Sequence, residues 1–345
     1  MNPRTAPLTA TPRPKIADVA AAAGVSVPTV SKVLNGRTHV SDATRAKVQQ
    51  ALADLDYSKR NTPAAQPGML QLVVNNFDSP WVLETMAGVE SAADRLGYAV
   101  AYSRAEHATA ERWRKLREPS VNRLDGVMLL APRRGSPLVT ALRSLRIPAV
   151  AIDPEGSEGL AIPSVSPASF SGALAAVGHL LALGHRRVGI ITGRNHSPGH
   201  GRARYAAYAA ALHEAGLPVA PELVRDGDFS TESGMRLGAE LLDLPEPPTA
   251  IFTGSDLQAL GVMNAAGQRS LLVPRDLSIV GFDDIAQAAL TSPPLTTVRQ
   301  PLAQMAAMAV GILTEQREGT VSAAPTALEV ATELVVRGTT APPSR

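Results

Sequence analysis

The sequence predicts an α/β protein in which a small all-α head precedes a larger body built on two doubly wound parallel sheets. Near the N-terminus, apolar residues recur at helical spacing around a glycine, as in a helix-turn-helix unit. After residue 68, short apolar runs alternate with helical segments, and this alternation favours parallel strands with helices on both faces. A chain of 345 residues is long enough to form several domains with sizeable cores.

Residues 15–35 read KIADVAAAAGVSVPTVSKVLN and predict two short helices joined by a turn. Gly24 supplies the turn, where the backbone can need a positive φ. Ser26 is placed to cap the second helix, and Pro28 is tolerated in its first turn. A third helix is predicted to begin after a cap at Ser41. The pattern is typical of a DNA-reading unit, and the alternative is a plain three-helix bundle with a solvated basic side.

The candidate DNA-contacting residues face outward on the second helix or lie near the start of the third. Val27 and Pro28 stand at the start of the second helix but carry no side-chain donor, so Lys32 is the main candidate for a base edge. Val27 can touch a thymine methyl group. The full set is Ser26, Val27, Pro28, Thr29, Ser31, Lys32, Asn35, Ser41 and Arg45.

The charge distribution supports a polyanion-binding head. Residues 1–68 hold nine lysines and arginines against four aspartates and glutamates, whereas residues 69–345 hold 24 against 27. A basic head on a slightly acidic body is the electrostatic pattern of a nucleic-acid-binding module attached to another function.

The composition excludes several classes of site. There is no cysteine, so the chain has no disulfide framework, thiolate nucleophile or cysteine metal site. Residues 1–14 contain four prolines and no apolar core, so they predict a disordered tail rather than a signal peptide. No uncharged apolar run approaches the ~18 residues of a membrane helix. These features fit the cytoplasm.

The body is predicted to form two lobes that divide near residue 165. Ligands of open α/β sheets bind at the carboxyl ends of the strands, so the predicted site is a cleft between the lobes. Apolar runs predict strands, and amphipathic runs predict helices at 84–96, 169–183, 202–215 and 257–266. The strands are predicted at 70–74, 99–102, 126–130, 149–152, 188–191, 250–252 and 277–282.

Aspartates and histidines in the body allow an enzyme or a metal site as alternatives. Asp256, Asp283 and Asp284 could pair for acid/base work, but no histidine triad and no phosphate-cradling loop accompanies them. Carboxylates at strand ends hydrogen-bond sugar hydroxyls equally well, and Asp256 could instead cap a helix. His196 and His200 flank proline and glycine in a loop without a nearby carboxylate in the sequence. We therefore predict no catalysis, no metal and no cofactor.

The head resembles that of the LacI/GalR family of bacterial transcription regulators. The matching pieces are DVA, AGVSVPTVSKVLNG, the V-S-x-x-T-R pattern of residues 40–45 and the LDY of residues 55–57. The body carries further family stretches, which are SPWVLETMAGVE, HLLALGHRRVGIITG, GRARYAAYAAALHEAG, GDFSTESG, PTAIFTGSDLQALGVMNAA, VPRDLSIVGFDD and PPLTTVRQP. The resemblance covers about residues 15–337.

The resemblance implies a two-lobed core like that of type I periplasmic sugar-binding proteins, with three chain crossings near residues 166, 296 and 330. It gives a tail at 1–14, a helix-turn-helix domain at 15–57, a linker at 58–68, a core at 69–337 and a C-terminal tail at 338–345. Lobe 1 takes 69–165 and 297–329, and lobe 2 takes 166–296 and 330–337. Pro63 and Pro67 flank Gln66, the position at which relatives carry a minor-groove leucine, and they disfavour a regular hinge helix.

The resemblance also places effector contacts in the body. Trp81 and Phe229 match loop positions at which relatives stack an aromatic ring on the ligand, and packing in the core or between lobes is the alternative for each. Arg204 matches an arginine that clasps effector, with a surface salt bridge as the alternative. Asp283 matches a ligand-contacting aspartate. Further candidates at strand or helix ends are Asp78, Asp153 and Asp256.

Together these features predict a cytoplasmic repressor of carbohydrate-utilisation genes. It would bind a palindromic operator as a homodimer or a dimer of dimers and respond to a mono- or oligosaccharide in the cleft. The rival is a sugar receptor or a sugar-acting enzyme with an incidental basic head. Deleting residues 1–68 discriminates between them, because only a regulator would lose DNA retention while it keeps ligand binding.

Overall fold

The structure is a computed structural model. It describes residues 16–34, 40–55, 68–118, 124–156, 159–193, 199–319 and 326–344. The chain divides into two compact units, Met1–Pro67 and Gly68–Arg345. The predicted tail at 1–14, most of the linker at 58–68, Asn35 and His196 lie outside the described residues. None of the described helices combines the length and apolar character that spanning a lipid bilayer requires.

The first unit contains three short helices, α1 (Ile16–Ala23), α2 (Val27–Leu34) and α3 (Asp42–Asp54). Gly24 has a φ of +65° at the turn between α1 and α2, as the sequence predicts. Ser41 caps α3, since its Oγ accepts the Thr44 N–H at 3.3 Å. Ser26 precedes α2, and its hydroxyl lies 2.9 Å from that of Thr29. The small core consists of buried alanines and valines at 19, 20, 23, 30, 33, 48 and 51.

The body contains two six-stranded sheets, which confirms the predicted α/β class. The first sheet has the order β11-β5-β4-β3-β1-β2 and is parallel throughout. Its helices are α4 (Pro80–Asp94), α5 (Ala110–Leu116), α6 (Pro137–Ser144) and α11 (Leu302–Glu318). Its strands are β1 (Met69–Val74), β2 (Ala99–Arg104), β3 (Leu124–Leu130), β4 (Ala149–Ile152), β5 (Ser164–Pro167) and β11 (Ala327–Val330).

The second sheet has the order β12-β10-β9-β8-β6-β7, in which only β12 runs antiparallel to its neighbour. Its helices are α7 (Ser169–Ala182), α8 (His200–Glu214), α9 (Thr231–Leu242) and α10 (Asp256–Gln268). Its strands are β6 (Val188–Thr192), β7 (Val224–Asp226), β8 (Ala250–Thr253), β9 (Ser278–Asp283), β10 (Thr296–Arg299) and β12 (Glu333–Val335).

Each sheet packs helices on both faces, because its central strands are apolar on both sides. In the first lobe, α4 and α11 cover one face and α5 and α6 cover the other. In the second lobe, α7 and α8 pack opposite α9 and α10. The largest fully buried side chains, among them Trp113, Tyr208 and Phe252, lie in these layers.

The chain passes between the lobes after β5, after β10 and between β11 and β12. The predicted lobe boundaries need correction at the first two crossings. Residues 297–299 belong to β10 of the second sheet rather than to lobe 1, and residues 166–167 belong to β5 of the first sheet. Hydropathy marks where a strand lies but not which sheet it joins, because both sheets offer similar apolar surroundings.

The segment after β12 is also different from the predicted free tail. Thr339 makes two hydrogen bonds to the backbone of Ile279: its carbonyl accepts the Ile279 N–H at 2.8 Å, and its hydroxyl donates to the Ile279 carbonyl at 2.7 Å. Ala341 bonds through its N–H and its carbonyl to the hydroxyl of Ser278, both at 3.0 Å. Residues 338–344 are therefore a strap on the second lobe.

Two histidines hold this strap in place. His179 Nε2 lies 3.0 Å from the Thr340 hydroxyl, and His185 Nε2 lies 3.0 Å from the Ala341 carbonyl, so His185 donates there. His185 Nδ1 lies 2.8 Å from the Thr249 hydroxyl. Burial lowers the pKa of both histidines, and the proximity of His179 lowers that of His185 further. Both imidazoles are thus harder to protonate in the folded protein than in the unfolded chain.

The lowered pKa values predict loss of stability in mild acid. Because the unfolded chain binds protons on these histidines at a higher pH than the folded chain does, their contribution to the free energy of unfolding should fall as the pH drops below about 6.5 and through the folded pKa values. Thermal unfolding measured from about pH 7.5 to about pH 5 should show a smaller decrease in the His179→Gln, His185→Gln double variant. The control replaces the exposed His107 and His213 with glutamine, and it should retain the wild-type pH dependence.

Candidate DNA-binding face and effector cleft

The head presents the predicted DNA-contacting residues on the outer side of α2 and at the start of α3. Val30 and Val33 are buried, so the opposite side of α2 faces solvent. On that side, the exposed residues are Ser26, Val27, Pro28 and Lys32, and the half-buried ones are Thr29 and Ser31. At α3, Ser41 is exposed and Arg45 half-buried, and the Arg45 N–H donates to the Ser41 carbonyl at 2.9 Å. Asn35 lies outside the described residues.

Lys32 is the residue on this face best suited to reading sequence. Its ammonium is exposed on the last turn of α2, where a cation also complements the helix dipole. Val27 is 40% exposed, which leaves its methyl groups open to a thymine methyl. The face therefore combines one long cationic donor with apolar and hydroxyl groups.

The body contains a cavity of about 190 Å³ between its two sheets. Its walls come from residues that follow β1, β3 and β4 in the first sheet and β6, β7, β8, β9 and β10 in the second, so the carboxyl ends of both sheets converge on it. The lining residues are Ser79, Trp81, Ala131, Asp153, Glu155, His200, Arg204, Phe229, Ser255, Leu257, Asp283 and Gln300. Five of the seven effector candidates are among them.

Arg204 lies at the centre of the second-lobe wall. It is 3% exposed, donates from Nη1 to the Gly254 carbonyl and stacks 3.8 Å from the centre of the Phe282 ring. Its Nε has no hydrogen-bond partner among the described residues. Burial lowers the pKa of Arg204, while Asp283, Asp153 and Asp256 raise it. A buried guanidinium with a vacant donor beside carboxylates is suited to binding a hydroxyl oxygen.

Phe229 presents its ring to the cavity through an unusual backbone conformation. Its φ is +68°, and its carbonyl accepts the hydroxyl of Ser255 at 2.9 Å. The ring occupies space that a side chain at Gly193 would fill, since a Cβ there would lie 2.4 Å from Phe229 Cζ. Glycine at position 193 is therefore required for this placement.

A hydrogen-bond chain joins the two lobes across the cleft. Trp81, on α4 of the first lobe, donates from Nε1 to Gln300 Oε1 at 3.2 Å, and Gln300 Nε2 donates to Asp283 Oδ1 at 2.6 Å. Burial raises the pKa of Asp283 well above its usual value, and the Arg204 charge opposes that rise. The aromatic and acidic candidates are thus linked through a glutamine at the second lobe crossing.

Asp153 makes a second link between the lobes. It follows β4 with a φ of +49°, is 3% exposed and lies 3.0 Å from Nδ1 of His200 on α8. His200 Nε2 is buried without a partner among the described residues. His200, weighed above as a metal ligand, therefore pairs with a carboxylate, and the described residues hold no cluster of three metal-ligating side chains.

Asp256 does not line the cavity, contrary to the sequence expectation. It is fully buried behind the wall, where it accepts hydrogen bonds from the Thr297 hydroxyl and, at 2.9 Å, from the Ile285 N–H. Burial raises its pKa to about 6. The N-cap of α10 is Ser255, whose Oγ accepts the Gln258 N–H at 3.1 Å. Asp256 thus fixes the loop after Asp283 to β10.

Asp78 also stands apart from the cavity. It is exposed in the loop between β1 and α4 and is absent from the lining residues. The same loop reaches the cleft through Ser79 and Trp81 instead. A position in the loop after a strand is therefore not enough to predict contact with the cavity, because a loop of several residues turns some side chains away.

Sequence reasoning missed Gln300 and Glu155 and treated His200 only as an alternative. Gln300 directly follows β10, as Asp283 ends β9, so its position at a strand end was the available signal. Glu155 lies two residues beyond Asp153 and carried no separate signal. Positive φ values recur on the cavity wall at Ala131, Asp153, Phe229 and Asp283. Such backbone strain costs about 1–3 kcal/mol per residue and concentrates at functional sites.

Known proteins match both parts of the chain, the head with its candidate DNA-binding face and the body with its cleft. Residues 15–60 match bacterial regulatory proteins of the lacI family, and residues 177–340 match a periplasmic binding protein-like domain. The transcriptional repressor CytR of Escherichia coli strain K12 is 33% identical over 328 residues, which cover 94% of this chain and 95% of CytR. The repressor PurR of Actinobacillus pleuropneumoniae serotype 3 is 32% identical over 327 residues, 93% of this chain and 97% of PurR.

Solved structures show the same architecture. A complex of the regulator CelR with cellobiose gives a TM-score of 0.70 at 31% identity and covers 95% of this chain and 100% of that one. The Lac repressor dimer bound to operator and the anti-inducer ONPF gives a TM-score of 0.73 at 28% identity. That match covers 96% of this chain and 100% of the Lac repressor chain. The helix-turn-helix head, the two-lobed body and these relatives lead to one conclusion. This chain belongs to the LacI family of bacterial regulatory proteins and is a DNA-binding transcription regulator, not an enzyme.

Proposed function

We propose that the protein represses carbohydrate-utilisation genes and is controlled by a sugar bound in the interlobe cleft. The observation that supports this most is the cavity wall, which sets two aromatic side chains, Trp81 and Phe229, against a buried arginine and three carboxyl groups. Aromatic faces suit the C–H groups of a sugar ring, and the polar groups suit its hydroxyls. The protein would act in the cytoplasm, where the chromosome lies.

The size of the cavity favours a small effector. Its volume of about 190 Å³ lies below the ~300–1,000 Å³ of most ligand pockets. CelR was solved with cellobiose, a disaccharide, so the fold accepts oligosaccharides in at least one relative. For this chain, a single sugar ring is the better fit to the cavity as it stands.

The charges of the wall favour a neutral effector. Asp153, Glu155 and Asp283 supply three carboxyl groups, against the cation of Arg204 and the imidazole of His200. No lysine lines the cavity among the described residues. A phosphorylated or carboxylated sugar would meet this acidic wall without a second arginine to offset it, at a cost in free energy.

The effector would act by changing how the lobes are held together. The Trp81–Gln300–Asp283 chain and the Asp153–His200 pair bridge the cleft. A sugar that bonds Asp283 and Arg204 would replace part of this bridge with its own contacts to both lobes. It would shift the conformational equilibrium by the difference between its affinities for the two states.

A thermal-shift screen of sugars tests this proposal. A ligand at 100 times its Kd should add about 2.7 kcal/mol to the free energy of unfolding. We expect stabilisation by one or a few neutral monosaccharides and none by their phosphate esters. A screen in which only anionic compounds stabilise the protein would contradict the proposed effector class, as would purine stabilisation without any from sugars.

We also expect a homodimer on a palindromic operator. One helix-turn-helix buries too little surface on DNA for tight specific binding. A dimer with twofold symmetry places two such units on the two half-sites of a palindrome. The Lac repressor was solved as a dimer on its operator. Sedimentation of the full chain should show a dimer or a dimer of dimers, both free and on DNA. A monomer under both conditions at micromolar concentration would refute this expectation.

A further inference from the structure

The outer end of the first lobe carries a concentrated positive charge. Helices α5 and α6 run back from the cleft, so their last turns lie at the edge where β3 and β4 begin. Five exposed cations occupy these two helix ends, and we call them the basic edge. Its residues are Arg114, Lys115, Arg117, Arg143 and Arg146.

The fold accounts for only part of this charge. Lys115 pairs with Glu111 at 2.9 Å, and Arg117 donates to the Arg146 carbonyl at 3.1 Å, which satisfies the end of α6. Cations also complement the C-terminal end of a helix dipole. The side chains of Arg114, Arg143 and Arg146 make no ion pair with any described residue. Three guanidinium groups are therefore available to a partner.

The charge is confined to the α5 and α6 side of this lobe. Within residues 111–118 and 137–148 the acidic residues are Glu111, which pairs with Lys115, and Glu118. At the neighbouring ends of α4 and α11 the charges are mixed, and Arg317 pairs with Asp125 at 3.2 Å. Because the body as a whole has more acidic than basic residues, the basic edge is a local feature and not a consequence of overall charge.

The same edge receives the chain from the DNA-binding head. The body begins at Gly68, whose carbonyl accepts the Ala99 N–H at 2.9 Å where β1 and β2 start side by side. The basic edge thus lies at the edge of the body to which the head is tethered. The cleft lies at the opposite end of the same strands, so an effector does not compete for these cations.

We propose that the basic edge binds the phosphate backbone of the DNA that the head holds. Arginine offers a planar fork of donors that matches phosphate oxygens, and each contact would release a counterion. Such contacts carry no sequence information, so they would add affinity to any DNA next to the operator. The body would then contribute directly to DNA binding, beyond its role as the effector-binding part.

The test replaces the three unpaired arginines in the full-length protein. The variant is Arg114→Gln, Arg143→Gln, Arg146→Asn, with asparagine at 146 because that residue has a φ of +52°. Binding to a long duplex that contains one specific site is measured across a range of salt concentrations. We expect weaker binding at low salt and a salt slope reduced by about one unit per lost phosphate contact.

Two controls keep the result interpretable. Arg186, Arg236 and Arg275 of the second lobe, replaced with glutamine, make the same change in net charge and should leave the slope unchanged. The variant Arg114→Lys, Arg143→Lys, Arg146→Lys keeps the charge and should retain most of the slope, which shows that the loss in the first variant comes from the missing cations. An unchanged slope in the first variant, or an equal loss in the second-lobe control, would overturn the proposal. Unchanged DNA binding together with loss of an acidic protein partner would overturn it in favour of that partner.

Discussion

Replacing Arg204 with alanine is expected to abolish the response to effector while operator binding survives. Arg204 is a buried arginine of the cavity wall whose pKa is raised by the charges of Asp283 and Asp153, and no other arginine or lysine lines the cavity among the described residues. A ligand hydroxyl that loses its donor in the cleft is left as a buried unpaired polar group, which costs about 1–3 kcal/mol. In the variant, effector concentrations that saturate the wild type should therefore leave operator binding unchanged, whether the effector normally releases the protein from DNA or strengthens its binding.

The adjacent Arg202 provides a matched control. It lies two residues earlier on α8 and is exposed. Arg202→Ala should keep the wild-type titration and the wild-type operator affinity. Because Arg204 also bonds the Gly254 carbonyl and stacks on Phe282, thermal unfolding must show that Arg204→Ala is folded under assay conditions. A folded Arg204→Ala protein with a normal effector titration would refute the assigned site.

Replacing Lys32 and Arg45 together is expected to remove most operator affinity. Lys32 is exposed on α2, and a base-edge contact from it would discriminate between bases by about 1–3 kcal/mol. Arg45, at the start of α3, would contact phosphate and contribute about one unit of salt slope. Lys32→Ala alone should narrow the difference between specific and non-specific sites, whereas Arg45→Ala alone should weaken both similarly.

Mobility-shift or fluorescence assays over several salt concentrations measure both effects. Arg186→Ala in the second lobe serves as the control, since it removes a cation far along the chain from α2 and α3. Effector binding should be unchanged in the Lys32, Arg45 double variant, because these residues lie outside the compact body. Unaltered operator affinity in that variant would remove the basis for assigning the DNA face.

Local features of the sequence were enough to predict the longer elements of the fold, including strands β1 to β4, β6, β8 and β9, but not the short strands β5, β7, β10, β11 and β12. The turn at Gly24, the cap at Ser41 and the alternation of apolar runs each depend on residues close together in the chain. The charge difference between head and body is likewise independent of packing. Motif resemblance extended these predictions to Trp81, Arg204, Phe229 and Asp283, which the cavity brings together from distant segments.

Residue type and position in the sequence did not predict which strand-end side chains face the cavity, because hydrogen bonding decides their orientation. Asp256 and Asp283 both follow or end strands and both belong to family motifs. Asp256 is saturated by donors from Thr297 and Ile285, so it holds the wall instead of facing the cavity. Gln300 shows the opposite case. It is a neutral residue that no motif or charge marked as a candidate, yet its hydrogen bonds link Trp81 to Asp283 in the cavity wall.

The sequence by itself determined the class of each part: a basic helix-turn-helix head, a two-lobed α/β body and membership in a family of regulators. These follow from periodicity, charge and motifs, which are properties of short segments. The tertiary structure alone decided which strand joins which sheet, which strand-end side chains meet in the cleft, and that residues 338–344 pack as a strap under His179 and His185. The physical reason is that three chain crossings bring together groups more than a hundred residues apart, and only their mutual hydrogen bonds and burial select the partners.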